Sequence, residues 1–245
     1  MSAYIAAKIS GKMPVLLDKC DTDLKYMITG SILNNEIDNA ISWGCGVAWS
    51  TDTIPVKTRI CAVRGRLTGG LCDMQGIAYD KVYGDPALLM PRLYQPKASE
   101  VKFKLGVIPH YVDTKKVLDG LYVANSNLKD YGVKIIDVLN SVEDVVDQIA
   151  SCEKVVSSSL HGIITANAYG IPARWAKFTD LIGGDDFKFK DYFTTVAIGD
   201  ESFLDYRESF GFFDILRLID MEMPVPEILV DLDELFNSCP FLNLK

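Results

Sequence analysis

The feature that most constrains this chain is an alternation of short apolar runs and amphipathic stretches between residues 104 and 176. Lys104-Leu105-Gly106-Val107-Ile108, Val133-Lys134-Ile135-Ile136, Lys154-Val155-Val156-Ser157-Ser158 and Ala173-Arg174-Trp175-Ala176 have the length and apolar density of strands covered on both faces. Helical stretches separate them. One is expected over 115–124. The next opens at Ser141-Val142-Glu143-Asp144, a capping serine followed by first-turn acids, and keeps apolar residues at 142, 145, 146 and 149. The third opens near His161 and stops at Gly170, with Pro172 just beyond. A β-α-β-α-β-α-β order predicts a parallel sheet wound by helices through right-handed crossovers. Ligands of such sheets sit at the carboxyl ends of the strands.

The preceding part is a looser alternation. A helix over 1–10 ends at Gly11, and strands are expected at 14–17, 25–28, 40–43 and 59–64. A short helix follows over about 65–74, Gly84-Asp85-Pro86 marks a turn, and Pro91–Lys97, with two prolines, reads as a linker. The 245 residues accommodate two small domains. The expected division is an α/β domain over 1–96 and a second over 97–245, the latter with the better-defined parallel sheet. Both are expected to be Rossmann-like. The tail from 208 holds two helical stretches, Pro226–Phe236 being the clearer, and is expected to pack back on the junction.

Several classes are set aside by composition. No run of eighteen apolar residues occurs, so no integral membrane segment is expected. The opening residues lack a charged n-region and an apolar h-region, and a cytoplasmic location is expected. The cysteines at 20, 45, 61, 72, 152 and 239 form neither CxxC nor CxxH and read as small buried side chains in a reducing compartment. A net charge of -8 with no basic stripe argues against nucleic acid. It leaves room for a small anion held by local cations and helix N-termini. Asp185-Asp186 has no matching ligand cluster, so no metal is expected.

The chemistry concentrates in Ser157-Ser158-Ser159-Leu160-His161-Gly162, where a strand ends, three serines turn the chain and a histidine opens a helix. Helix-terminal N–H groups and serine hydroxyls suit a phosphate or carboxylate. His161 can exchange a proton near neutral pH. A serine-rich helix cap with an incidental histidine fits the local sequence equally well. His110 follows the first strand of the alternation and reaches the same sheet edge. A loop histidine bonded to backbone is the plainer reading. Arg64 ends an apolar strand beside Gly65 and can grip an anion bidentately, with a surface salt bridge as the ordinary alternative. Lys188 and Lys190 alternate with Phe187 and Phe189 after Gly183-Gly184. They can close over an anion, or mark a solvated edge strand.

Taken in order, these pieces resemble the polysaccharide pyruvyl transferase family. They are Val63-Arg64-Gly65 through Thr68, Tyr83-Gly84-Asp85-Pro86-Ala87-Leu88-Leu89, Gly106 through Asp113, Ser157 through Gly162, Ile171 through Trp175 and Phe187 through Phe193. The resemblance implies a two-domain GT-B-like fold with an active cleft between domains. It implies phosphoenolpyruvate as donor and a sugar hydroxyl pair of an exopolysaccharide or lipid-linked glycan precursor as acceptor, with no cofactor. Peripheral association with the inner membrane face accompanies a lipid-linked acceptor. His161 is then the catalytic histidine, and Arg64, Ser158, Ser159, Leu160, His110 and Lys188 belong to the donor site. Some relatives carry an arginine before the Leu-His pair. Here Ser159 stands there, so donor affinity is expected from other groups. Family members usually begin with a strand ahead of the first helix, and the 1–96 domain is expected to lack it. Two alternatives stay open: a GT-B-type glycosyltransferase using a nucleotide sugar, and an inactive glycan-binding relative.

Overall fold

The computed structural model describes residues 1–15, 23–97, 100–122 and 127–242. These form two compact units. The first comprises Met1–Leu93, Gly184–Ala197 and Ile228–Lys245, the second Tyr94–Gly183 and Ile198–Glu227. Both are α/β units with parallel sheets, as the alternation predicts.

In the first unit, helix α1 (Ser2–Ser10) ends where Gly11 takes φ 69° and returns its N–H to the Ala7 carbonyl. Strands β1 (Lys25–Ile28), β2 (Ala40–Cys45) and β3 (Arg59–Val63) form a parallel sheet in that order. Helix α2 (Arg66–Met74) follows β3 directly. Met27, Leu33, Val47, Ile60, Val63 and Leu71 fill the core. Trp43 is fully buried, and its indole N–H donates to the Leu235 carbonyl at 3.0 Å, tying the terminal helix Leu232–Asn237 to β2. The expected strand at 14–17 falls partly outside the described residues, and Pro14 and Val15 are not in a strand.

A buried ion pair holds this unit together. The Arg64 Nε donates to Asp191 Oδ2 at 2.9 Å, with both side chains wholly inaccessible. The other guanidinium nitrogens donate to Ser31 Oγ at 2.7 Å and to the Val47 carbonyl at 2.8 Å. Asp191 also accepts from the Thr68 backbone N–H at 2.8 Å and from the Thr68 hydroxyl at 2.7 Å. It therefore caps α2 from the helix Phe187–Phe193. The packing leaves no room for a Cβ at Gly65, which would stand 1.9 Å from the Asp191 carbonyl oxygen, or at Gly46, 2.4 Å from the Arg64 guanidinium. The surface salt bridge expected as the ordinary fate of Arg64 is thus corrected to a core pair. The edge-strand reading of 183–192 is corrected too, because Phe187–Phe193 is helical and buries Phe187, Phe189, Tyr192 and Phe193.

In the second unit the sequence alternation is borne out nearly element for element. Strand β4 (Leu105–Ile108), helix α3 (Thr114–Tyr122), strand β5 (Val133–Ile135), helix α4 (Val142–Ala150), strand β6 (Val155–Ser157), helix α5 (Leu160–Ala168) and strand β7 (Ala173–Lys177) follow in turn. The short strand β8 (Leu204–Asp205) and helix α6 (Phe212–Asp220) complete it. The expected helix over 115–124 runs to Tyr122, and residues 123 and 124 lie outside the described residues. Ser141 caps α4 by accepting from the Asp144 N–H, as its position predicts. All five strands are parallel in the order β5-β4-β6-β7-β8. Leu105, Val107, Val156, Ala176, Phe178 and Ile215 pack its core.

Two further expectations change. Pro91–Lys97 is not all linker, since Met90–Leu93 forms a helical turn, where a proline in the first turn is tolerated. The helix expected over 226–236 begins only at Leu232, because the Asp231 carboxylate accepts from the N–H groups of Asp233 and Glu234, while the Leu229 N–H pairs with the Thr195 carbonyl. Cys45, Cys61, Cys72, Cys152 and Cys239 are buried free thiols. Burial pushes Cys45 and Cys152 up to about 12, so both stay protonated. Cys20 lies outside the described residues. Among the described residues no helix is long and apolar enough to cross a membrane.

Replacing Asp191 by alanine leaves a desolvated guanidinium without its counter-charge. Urea denaturation is expected to show a loss of about 3–5 kcal/mol. A loss below about 1 kcal/mol, the value of an exposed pair, contradicts the assignment.

Candidate functional site

The strand order of the second unit reverses direction once. From β4 the chain steps to β5 on one side, then returns to place β6, β7 and β8 on the other. That reversal makes the carboxyl ends of β4 and β6 the switch point of the sheet, the place where parallel α/β sheets hold their ligands. Ile108 and Ser157 end these two strands side by side in register. The segments leaving them are Pro109-His110 and Ser158-Ser159-Leu160-His161. His110, Ser158, Ser159, Leu160 and His161 are therefore brought to one sheet edge, as the sequence predicts.

The helix α5 approaches this edge closely. A Cβ at Gly162 would meet Ser157 Oγ at 2.6 Å and the Ile108 side chain at 3.0 Å. Ala166 is wholly buried behind it. Only the smallest residue at 162 allows the first turn of α5 to rest on the ends of β4 and β6. The N–H groups of that first turn consequently lie at the same sheet edge. His161 is half-buried there, and Leu160 is buried beneath it.

The three serines do different work. The Ser157 hydroxyl lies 2.8 Å from the Ile108 carbonyl and accepts from the Ser159 N–H at 2.9 Å. The Ser158 hydroxyl donates to Asp113 Oδ2 at 2.5 Å and accepts from the His110 backbone N–H at 2.9 Å. Ser159 holds the N-cap position of α5 without a side-chain capping bond. The serine-cap reading is corrected accordingly: two of these hydroxyls shape the turn, and neither they nor Ser159 cap the helix by side chain.

Asp113 is the residue that sequence reasoning passed over. It is fully buried, and accepts from the hydroxyls of Ser158 and Thr179. The loops after β4, β6 and β7 are thus joined at one carboxylate. Its N–H returns to the His110 carbonyl at 2.7 Å, which fixes the bend carrying His110. The sequence signal was there, an aspartate just ahead of a helix, but it reads as an ordinary cap.

The remaining predicted residues, Arg64 and Lys188, lie in the first unit. Arg64 is committed to Asp191, Ser31 and Val47, as described. Lys188 sits on the helix that Asp191 anchors, with its ammonium 5.6 Å from the Phe189 ring centroid. Burial lowers its pKa, the Arg64 charge lowers it further, and Asp186 opposes both. No group of three or more acids, cysteines or histidines with metal-ligand geometry occurs among the described residues.

The second unit is therefore a parallel α/β unit with a helix N-terminus and a histidine at its switch point. Residues 75–175, which include His110, Asp113 and the Ser158–Gly162 turn, match the family described as Polysaccharide pyruvyl transferase, and the resemblance read from the motifs is borne out. Two curated relatives extend the likeness. The uncharacterized protein L143 of Acanthamoeba polyphaga mimivirus is 29% identical over 189 residues, covering 74% of this chain and 63% of that protein. The succinoglycan biosynthesis protein ExoV of Rhizobium meliloti (strain 1021) is 27% identical over 144 residues, covering 59% of this chain and 42% of that protein. The chain thus spans less than two thirds of either relative. No solved structure matches.

Two substitutions test the geometry of the turn. Gly162→Ala forces α5 away from the strand ends and is expected to cost about 1–3 kcal/mol in denaturant unfolding. Asp113→Ala leaves the buried Ser158 hydroxyl and the half-buried Thr179 hydroxyl without their acceptor and is expected to cost about 1–3 kcal/mol, mainly at Ser158. A wild-type unfolding midpoint for either variant refutes the corresponding contact.

Proposed function

We propose that this chain transfers pyruvate from phosphoenolpyruvate to a pair of sugar hydroxyls on a glycan precursor, forming a cyclic ketal. The observation that carries the reading is the Ser158–Gly162 turn at the switch point, inside the segment that matches the family. The naming of one relative for succinoglycan biosynthesis supports a glycan acceptor. In this reading the fold is GT-B-like, with the second unit serving the donor and the first the acceptor.

The donor brings a phosphate and a carboxylate, and the first turn of α5 offers N–H donors and a partial positive charge to one of them. His161, at the start of that turn, is placed to exchange protons with the reacting groups. Protonation of the donor methylene makes its C2 electrophilic. One sugar hydroxyl adds there, the second closes the ring, and the C2–O bond to phosphate breaks. Of the two hydroxyl protons lost, one is balanced by the new methyl group and the other leaves with phosphate. The Ser158 hydroxyl and Asp113 hold the turn rather than react, because that hydroxyl is engaged by Asp113 on one side and the His110 backbone N–H on the other. A donor role for Arg64 and Lys188 rests on the family resemblance alone. The reaction requires no redox group. A location on the cytoplasmic side, with peripheral association at the inner membrane face, follows if the acceptor is lipid-linked.

The test is release of phosphate from phosphoenolpyruvate across a panel of glycosides, with mass spectrometry of the acceptor. The expected result is acceptor-dependent release and a mass gain of pyruvate minus water. His161→Ala is expected to stay folded and to lose about 10²–10⁴-fold in turnover, the usual contribution of a general acid/base. Full turnover in a folded His161→Ala sinks the role given to the histidine. A response to nucleotide sugars in place of phosphoenolpyruvate turns the assignment to glycosyl transfer.

A further inference from the structure

The first unit carries an aromatic plane that neither its core nor the donor chemistry uses. Trp49 follows β2 at the carboxyl edge of the sheet and is 47% exposed, whereas Trp43 and Trp175 are 0% and 3% exposed. Exposure of a single large apolar side chain is ordinary when the loop is loose. This loop is not loose.

The segment from Gly46 to Asp52 is fastened at nearly every residue. Asp52 accepts from the backbone N–H groups of Ala48 at 3.1 Å and Trp49 at 2.9 Å, and from the Asn34 side-chain amide at 3.1 Å. Its own N–H returns to the Trp49 carbonyl at 3.2 Å, closing a tight turn around the tryptophan. The Asp185 carboxylate accepts from the Ser50 N–H at 3.1 Å and the Ser50 hydroxyl at 2.5 Å. The Val47 carbonyl is held by Arg64. At Gly184, φ 119°, a Cβ would lie 2.8 Å from the Ala48 carbonyl oxygen, so the two segments touch through backbone. An indole is therefore presented to solvent on a frame that costs little to order on binding.

We propose that Trp49 is a stacking platform for a pyranose ring of the acceptor. A pyranose has an apolar face of C–H bonds and a polar rim of hydroxyls. The indole offers a matching flat face. Ser50, Asn34, Asp52 and Asp185 stand beside it in the fold, and beyond the bonds that fasten the loop the Asn34 amide keeps a second N–H and Asp52 Oδ1 a further lone pair for the rim. A protein or lipid partner needs contiguous apolar area. The chain following Trp49 is Ser50-Thr51-Asp52-Thr53, which offers none. The platform itself stands on the geometry of the first unit. Its identity as an acceptor subsite rests on the pyruvyl-transfer reading.

Because the other two tryptophans are buried, acrylamide quenching of intrinsic fluorescence reports Trp49 selectively. The probes are methyl pyranosides of glucose, galactose, mannose and N-acetylglucosamine. At least one is expected to protect the exposed tryptophan from quenching in the wild-type chain and to have no effect in Trp49→Ala. In the transfer assay Trp49→Ala is expected to raise the acceptor KM about tenfold with kcat little changed, and Trp49→Phe to recover most of that loss. His161→Ala is expected to keep the protection while losing turnover, which separates the platform from the chemistry. Protection without any pyruvyl transfer overturns the reaction and leaves the platform standing. The platform is overturned if no pyranoside protects Trp49, or if Trp49→Ala transfers with a wild-type acceptor KM.

Discussion

The first unit depends on one buried ion pair. Arg64 and Asp191 are 127 residues apart and wholly inaccessible. Desolvating two charges is costly, and their attraction repays it only when the remaining donors and acceptors are also matched. Here they are matched closely. The guanidinium reaches a carboxylate, a hydroxyl and a carbonyl, and the carboxylate receives the guanidinium, a backbone N–H and a hydroxyl. The pair fixes three things at once: the start of α2, the loop after β2 and the helix Phe187–Phe193. The glycines at 46 and 65 are consequences, since both sit where the pair leaves no space for a side chain.

The same pair explains what could not be read from the sequence. Strands announce themselves by local composition. Leu105 through Ile108 is buried along its whole length, and an unbroken apolar run is what such a strand requires. Ser141 ahead of two acids announces α4 in the same local way. The helix Phe187–Phe193 does not. Its alternating phenylalanines and lysines imitate a strand, because protein surrounds it on more than one face, and its buried Asp191 looks like a solvent residue until Arg64 is found. A partner so distant in sequence leaves no periodic trace. Asp231 misleads differently. Helical spacing runs upstream of it, but its carboxylate binds the next turn's N–H groups and starts the helix there.

The site was more legible than its supports. His110, Ser158, Leu160 and His161 lie at strand ends, and strand ends in a parallel sheet lead to one edge. Which hydroxyl would bind a ligand and which would brace the turn was not legible. Ser158 and Ser159 are neighbours of the same type, yet Ser158 is consumed by Asp113 and the His110 N–H while Ser159 takes the N-cap position. That division follows from backbone direction at the turn, which composition does not encode.

The two units treat the starts of their helices differently. A chain with net charge -8 repels a small anion at long range. In the first unit the strongest cation, Arg64, is spent on an internal carboxylate, and that carboxylate occupies the N-terminus of α2, where a bound anion would otherwise sit. In the second unit the corresponding helix start, α5, carries no side-chain cap. Gly162 draws it onto the ends of β4 and β6. The first unit therefore satisfies the dipole of α2 from within. Under the proposed reading, that difference between the two helix starts is the ground for assigning the donor anion to the second unit and the neutral acceptor to the first.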